Sequence, residues 1–125
     1  MKLPRLLITG ASGWIGRSLY SHLQEFEPIG VYFNSTLTPP TRGWVQADLR
    51  NEAEVAALLR QIRPDVIYHF AALPSPRINR EQPKLAEATN VGVTKNLVAH
   101  LSEGTHSSFY RAIRYTTAET LRLQK

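Results

Sequence analysis

Three glycines spaced three residues apart, Gly10, Gly13 and Gly16, stand near the start of the chain in the stretch LLITGASGWIGRSLY. Glycine lets the backbone turn sharply and lets another group approach it closely. The first turn of a helix presents unpaired N–H groups and a partial positive charge, both of which favour a phosphate. A pyrophosphate therefore fits here if the glycines lie where a strand turns into a helix. The alternative is a tight connection that binds nothing.

The residues on either side of the glycines predict a strand followed by a helix. Leu6 to Ile8 form a short apolar run that is typical of a buried strand. Beyond the second glycine, apolar residues recur at helical spacing: Ile15, Leu19, Leu23 and Phe26. The three glycines are thus predicted to lie on a strand-to-helix turn.

The rest of the chain alternates strands with helices. PIGVYFN, WVQADL and DVIYHFAAL are predicted strands, and helices are predicted after the N-cap Asn51 and over Lys84 to Leu101. This alternation predicts an α/β domain with a parallel sheet of about four strands in the order 3-2-1-4, with helices on both faces. The fourth strand, Val66 to Phe70, would then be an exposed apolar edge through which copies of the chain self-associate.

Composition excludes several classes of protein. The 125 residues suffice for one domain, and no apolar run approaches the roughly 20 residues that span a bilayer, so we predict a cytoplasmic protein with no membrane partner. The absence of cysteine excludes disulfides and thiolate sites. Of the net charge of +5, more than half lies after residue 106, so no nucleic-acid-binding face is predicted. The histidines lack metal-ligand spacing and are predicted to be packing or surface groups: His22, His69, His100 and His106.

Four stretches, in their order and spacing, resemble the extended short-chain dehydrogenases. They are TGASGWIG, the pair Asp48 and Leu49 after the third strand, PDVIYHFAAL and NVGVTKNLV, and they cover residues 5 to about 106. Within that group the chain is most similar to dTDP-4-dehydrorhamnose reductases and related sugar-nucleotide enzymes of the NAD-dependent epimerase/dehydratase type. The resemblance implies a truncated Rossmann fold that binds NAD(P)(H).

The resemblance implies that the glycine turn cradles the pyrophosphate of this cofactor. Backbone N–H groups at the start of the helix would contact its oxygens. The residues of the turn that it assigns to cofactor binding are Gly10, Ser12, Gly13, Trp14, Ile15 and Gly16.

Five further residues receive roles from the resemblance. Asp48 would bind the adenine amino group beside Leu49, Ala71 and Ala72 would pass under the adenosine ribose and pyrophosphate, and Asn90 would brace the sheet or touch the cofactor. Each role has a structural alternative. Asp48 suits a cap or a turn, the alanines suit tight packing, and an asparagine inside a helix can bond its own backbone.

The end of the second strand bears on the choice of nicotinamide cofactor. NAD enzymes usually carry an Asp or Glu there to hold the ribose 2′-OH, whereas this chain has Asn34 and Ser35, which we count as cofactor-binding residues. Without the acid a 2′-phosphate is not repelled, and Arg17 or Arg42 can pair with it unless both are solvated surface groups. NADP(H) is therefore favoured over NAD(H).

The resemblance stops near residue 106. The enzymes that the chain resembles continue with a fifth strand, a Tyr-x-x-x-Lys helix and a substrate domain, whereas neither Tyr110 nor Tyr115 has a lysine four residues on. We predict an N-terminal part of an NAD(P)-binding domain over 1–106 and an aberrant tail over 107–125. The charge and weak patterning of the tail suit an out-of-frame translation. The expected product is a cofactor-binding fragment without catalysis, and the alternative is a small stand-alone nucleotide- or partner-binding module.

Overall fold

Strands and helices alternate along the described residues as the sequence predicts, except that no helix is described between the second and third strands. The structure is a computed structural model that describes residues 2–33, 43–71, 76–102 and 105–108. Its strands are β1 (Leu6–Thr9), β2 (Ile29–Tyr32), β3 (Trp44–Gln46), β4 (Val66–His69) and β5 (His106–Ser108). Its helices are α1 (Trp14–His22), α2 (Glu52–Ile62), α3 (Pro76–Glu81), α4 (Pro83–Glu87) and α5 (Val93–Ala99). The strands form one parallel sheet in the order β3-β2-β1-β4-β5, which confirms the predicted order of the first four.

Apolar side chains are buried on both faces of the sheet. On one face Leu7 packs in a core with Val55 of α2 and Leu97 of α5. On the other face Ile8 packs with Tyr20 of α1. Successive residues of a strand point to opposite faces, so the fully buried strand β1 supplies both cores. This central strand leads directly into the glycine turn.

A fifth strand lies beside β4. β5 pairs in parallel with β4 in the register Val66 to His106, Ile67 to Ser107 and Tyr68 to Ser108. The prediction that the fourth strand is an exposed edge is therefore wrong. The expectation of self-association through that strand depended on this edge and loses its basis. The segment His-Ser-Ser lacks the β-branched and large aromatic residues that mark a strand in a sequence. β5 also crosses the predicted boundary at residue 106.

The predicted long helix after residue 84 is present but interrupted. A π-helical segment, Ala88–Gly92, separates α4 from α5. Within this stretch the Thr94 hydroxyl donates a hydrogen bond to the carbonyl of Asn90, 3.2 Å away. Hydrogen bonds from side-chain hydroxyls to backbone carbonyls compete with the regular backbone hydrogen bonds of a helix. The spacing of apolar residues in a sequence does not reveal such an interruption.

The predicted N-cap of α2 is confirmed and gives a first test of the fold. Asn51 Oδ1 accepts hydrogen bonds from the backbone N–H groups of Ala53 and Glu54, at 3.0 and 3.2 Å. Asn51→Ala removes both and should lower the free energy of unfolding by about 1 kcal/mol, measured by urea titration. Asn51→Ser keeps a capping oxygen and should retain most of the stability. Equal losses in both variants would show that the side-chain cap is not what stabilises α2.

Candidate functional site

Gly10 ends β1 in a conformation that only glycine adopts readily. Its φ is +65°, and a Cβ there would lie 2.7 Å from the backbone N of Ala71 and from the backbone C of Phe70. The turn after β1 is thus pressed against the chain that leaves β4. The structure places Gly10 and Ala71, two of the predicted site residues, next to each other.

The two later glycines of the turn differ in what the fold demands of them. A Cβ on Gly16 would collide with the carbonyl oxygen of Gly10, so the close contact between α1 and the turn requires glycine. Gly13 is exposed, has φ −75° and ψ 168°, and would carry a Cβ 3.3 Å from that same oxygen. This distance is tight but involves only one atom, and any residue can adopt the φ and ψ of Gly13. The packing of the turn therefore explains Gly10 and Gly16 better than it explains Gly13.

The N-terminal end of α1 is open towards solvent. Its N-cap, Gly13, has no side chain to accept a hydrogen bond from the first N–H groups, and the first turn contains no acidic residue. Trp14 is 84% exposed and Ile15 is 49% exposed, so neither side chain is used in the core. Unpaired N–H groups at a helix N-terminus favour an anion. Ser12, the remaining predicted residue of the turn, is half-buried beside them.

A chain of side-chain hydrogen bonds runs through the sheet beneath this turn. Thr9, at the end of β1, contacts Nδ1 of the buried His69 of β4 through Oγ1 at 2.5 Å. His69 Nε2 lies 3.2 Å from Oγ1 of Thr94 on α5. Thr9 Oγ1 also accepts hydrogen bonds from the backbone N–H groups of Phe70 and Ala71, at 3.1 and 3.2 Å. These contacts fix the position of Phe70 and Ala71, which follow β4 and lie against Gly10.

The contacts of this chain assign one tautomer to His69. The Thr94 hydroxyl donates its one proton to the Asn90 carbonyl. Its oxygen is therefore the acceptor in the contact with His69, and Nε2–H is the donor. Nδ1 is then the acceptor, and Thr9 donates to it. A proton on Nδ1 would oppose the hydroxyl of Thr9, whose oxygen already accepts two backbone N–H groups. A ring proton on Nε2 with Nδ1 as acceptor matches these donors and acceptors.

Sequence reasoning placed His69 among packing or surface residues and missed this connection. The histidine is indeed buried, but it joins β1 to α5 through two threonines. A polar pair at the ends of two predicted neighbouring strands, Thr9 and His69, was the available signal. Its third member, Thr94, lies 25 residues from His69 in sequence and has no local signature.

Among the described residues, the Asp48 carboxylate forms hydrogen bonds with Arg50. Its Oδ1 accepts from the backbone N–H and the Nε of Arg50 at 3.0 and 2.9 Å, and its Oδ2 accepts from Nη2 at 3.0 Å. A carboxylate that accepts from the backbone N–H two residues on fits the turn role, and Asn51 takes the cap role. Binding of adenine by Asp48 remains a prediction, and Oδ2 has room for a further donor.

The other predicted site residues are distributed as follows. Leu49 is buried, and its side chain belongs to the core between the sheet and α2 and α5, while its carbonyl accepts from Nδ2 of Asn96 at 3.0 Å. Asn96, which also donates to the Arg50 carbonyl at 3.2 Å, was not identified from the sequence. Asn90 lies half-buried in the π-helical segment. Asn34, Ser35, Ala72 and Arg42 lie outside the described residues.

The Asp48–Arg50 pair predicts a pH dependence of stability. The side-chain hydrogen bond from Arg50 lowers the pKa of Asp48 below its ordinary value of 3.8. A lowered folded-state pKa contributes stability above the unfolded pKa, and this contribution is lost as the pH falls through the folded value. Asp48→Asn should therefore cost about 0.5–1 kcal/mol at pH 7 and progressively less below pH ~4.

Urea titrations of both proteins between pH 7 and pH 2.5 measure this difference. Asp65, whose pKa is also lowered, chiefly by a hydrogen bond from the Arg5 backbone, contributes equally to both proteins and cancels. A cost of Asp48→Asn that is constant over this range would show that the charge of Asp48 does not stabilise the fold.

The described residues contain no group of three or more histidine, aspartate or glutamate side chains that could hold a metal ion. Among the helices in the described ranges, none is long and apolar enough to cross a membrane.

A parallel sheet whose first strand is central, with a glycine turn between that strand and the first helix, defines a dinucleotide-binding Rossmann fold. The chain belongs to the NAD dependent epimerase/dehydratase family, whose model matches residues 6–119. The UDP-glucose 4-epimerase of Thermus thermophilus, solved in complex with NAD, superposes with a TM-score of 0.69 at 26% identity over 77% of this chain and 33% of the epimerase. An L-threonine dehydrogenase from Clostridium difficile shares the fold, with a TM-score of 0.73 at 22% identity over 89% of this chain and 36% of its own.

Several curated proteins are similar in sequence. Methionine adenosyltransferase 2 subunit beta of Xenopus laevis is 38% identical over 95 residues, which cover 74% of this chain and 27% of that protein. The GDP-6-deoxy-D-talose 4-dehydrogenase of Aggregatibacter actinomycetemcomitans is 36% identical over 72 residues, 55% of this chain and 21% of the enzyme. The chain thus spans about a quarter of the length of the curated relatives it matches.

Proposed function

We propose that the glycine turn binds the adenosine and pyrophosphate half of NAD(P)(H). The observation that carries the proposal is Gly13, an exposed glycine whose backbone conformation any residue adopts, at the uncapped start of α1. A turn that served only to connect β1 to α1 needs Gly10 and Gly16, whereas a capping side chain at Gly13 requires only that the Gly10 carbonyl oxygen move by a few tenths of an ångström. A pyrophosphate needs that space empty, because its oxygens must approach the N–H groups closely.

The variant Gly13→Ser separates binding from folding. Serine is among the best N-cap residues, so the stability should change by less than about 1 kcal/mol. Its side chain occupies the space proposed for the pyrophosphate, so the affinity for 5′-ADP should fall at least about tenfold from a wild-type Kd on the order of 0.1–1 mM. Isothermal titration calorimetry measures the affinity and urea titration the stability. Unchanged 5′-ADP binding by a folded Gly13→Ser protein would contradict the proposal.

The more specific assignment is a fragment of a dTDP-4-dehydrorhamnose reductase-like sugar-nucleotide oxidoreductase, located in the cytoplasm. The order of the quoted motifs and the similarity to a nucleotide-sugar dehydrogenase support it. Because Tyr110 and Tyr115 lack the lysine four residues on, the 125 residues should bind cofactor without turning over a sugar nucleotide. The missing acid after β2 supports a preference for NADP(H) over NAD(H).

Residues 107–125 are proposed to be an out-of-frame translation of the family's next segment, caused by the loss of one base near the codon of His106. Their charge and weak patterning support this origin. The coding DNA tests it directly: the shifted frame should encode an apolar strand and a downstream Tyr-x-x-x-Lys. A stop within a few codons in that frame would overturn this origin.

A second function is favoured by the curated relatives named methionine adenosyltransferase 2 subunit beta, which match over 95 residues. Their name describes a subunit, so the chain could serve as a partner-binding module of a larger enzyme. Size-exclusion chromatography of the chain mixed with a methionine adenosyltransferase catalytic subunit tests this function. Co-elution that persists in Gly13→Ser would favour the partner role, whereas separate elution together with 5′-ADP binding would favour the nucleotide role.

A further inference from the structure

Phe33 and Arg50 lie together at the edge of the sheet where the strands end. β2 ends at Tyr32 and β3 at Gln46, and these residues are paired in the parallel sheet. Gln46 Nε2 donates to the Phe33 carbonyl at 3.0 Å, so the chain leaving β2 stays attached to β3. In doubly wound sheets, ligands bind outside these carboxyl ends. The backbone N–H of Ala11 donates to the Val31 carbonyl at 3.1 Å, which ties the glycine turn to the same edge.

The Arg50 side chain is held in place at this edge. Its guanidinium carbon lies 5.1 Å from the centre of the Phe33 ring, and its Nε and Nη2 donate to Asp48. Stacking on an aromatic ring and pairing with a carboxylate both orient the planar guanidinium before any ligand arrives. The Arg50 carbonyl is fixed in turn by Asn96 of α5.

The guanidinium retains donors for a further anion. Arginine has five N–H groups, and Asp48 takes one from Nε and one from Nη2. The two N–H groups of Nη1 and the second of Nη2 have no acceptor among the described residues. The Arg50 side chain is 36% exposed, so it is partly open to solvent. A phosphate, with its several acceptor oxygens, matches this fork.

We propose that Arg50 is the residue that selects a 2′-phosphorylated adenosine at this site, in place of the acid that would hold a free 2′-OH. The inference rests on the proposed binding of a dinucleotide in the glycine turn, and it replaces Arg17 and Arg42 as the expected partners of the phosphate. Because Asp48 offsets much of the charge of Arg50, selectivity comes from direct charge-assisted hydrogen bonds rather than from long-range attraction. A preference on the order of tenfold for a 2′-phosphorylated ligand is therefore expected.

Calorimetric titrations of the full chain with 2′,5′-ADP and with 5′-AMP test this inference. These probes share the adenosine and the 5′-phosphate and differ only in the 2′-phosphate that Arg50 would hold. The wild type should bind 2′,5′-ADP about tenfold more tightly than 5′-AMP. Arg50→Gln should reduce this ratio to within about twofold and leave 5′-AMP binding almost unchanged.

Two arginines provide matched controls. Arg17→Gln and Arg42→Gln remove the same charge from the two arginines that the sequence offered as partners of the phosphate, and both variants should keep the tenfold ratio. The inference is overturned if Arg50→Gln keeps the preference, if either control loses it instead, or if the wild type binds both probes equally. A wild type that binds neither of these probes nor 5′-ADP refutes the proposed function itself, so the two failures are distinguishable. Urea titration of each variant confirms that the protein compared is folded.

Discussion

Gly10→Ala is expected to destabilise the protein by roughly 2–5 kcal/mol, a large part of the 5–15 kcal/mol typical of a folded domain. Two independent causes add. The φ of +65° costs a residue with a Cβ about 1–2 kcal/mol. The new Cβ would also lie 2.7 Å from backbone atoms of Phe70 and Ala71, which cannot move away as a flexible side chain would.

Urea titration followed by far-UV circular dichroism measures this loss, with Gly92→Ala as the matched control. Gly92 has helical φ and ψ of −61° and −42°, and its added Cβ would meet no atom closer than the Glu87 carbonyl oxygen at 3.9 Å. Alanine should therefore be neutral there or stabilising by about 0.5–1 kcal/mol. Equal stability of the Gly10→Ala and Gly92→Ala proteins would show that the turn is not packed against β4 as described.

Thr9→Val is expected to cost about 2–4 kcal/mol, although valine has nearly the shape of threonine. The Ala71 N–H would lose its hydrogen bond to Oγ1, and Nδ1 of the buried His69 would lose its donor. A buried polar group left without a partner costs about 1–3 kcal/mol. The Phe70 N–H is less affected, because it also donates to the Thr9 backbone carbonyl at 3.2 Å.

Conservative variants separate the hydroxyl from the shape of the side chain. Thr9→Ser keeps the oxygen and should recover most of the stability lost in Thr9→Val, despite the missing methyl group. A cycle of Thr9→Val, Thr94→Val and the double variant measures the coupling transmitted through His69, which we expect to be about 0.5–1.5 kcal/mol. Additive losses would mean that the two threonines act separately and that His69 does not connect them.

The sheet was predictable from sequence because its signals are local. The first four strands are rich in apolar, aromatic and β-branched residues, and the helices that connect most of them leave few possible topologies. The fifth strand carries no such signal, since His106, Ser107 and Ser108 are polar and their pairing with β4 is a contact between residues far apart in sequence.

The site was predictable to a lesser extent because its contacts join residues that are far apart in sequence. The spacing of the glycines identified the turn, but only the contact of Gly10 with Ala71, 61 residues later, shows why a Cβ is excluded there. The sequence likewise offered Arg17 and Arg42 as partners for a phosphate. Arg50 becomes a candidate only in the folded structure, where its guanidinium lies over the ring of Phe33, a residue that follows a different strand.

Two-dimensional 1H–15N NMR of the full chain titrated with 5′-ADP is the sharpest test of the claim that a nucleotide phosphate is held at the start of α1. The claim predicts saturable shifts of the amide signals of Gly13, Trp14 and Ile15, with further shifts at Asp48 and Ala71. Gly13→Ser should require at least about tenfold more 5′-ADP for the same shifts, while the rest of the spectrum stays that of a folded protein. Amide signals of residues 13–15 that stay unchanged at millimolar 5′-ADP, or shifts confined to another surface, would contradict the account.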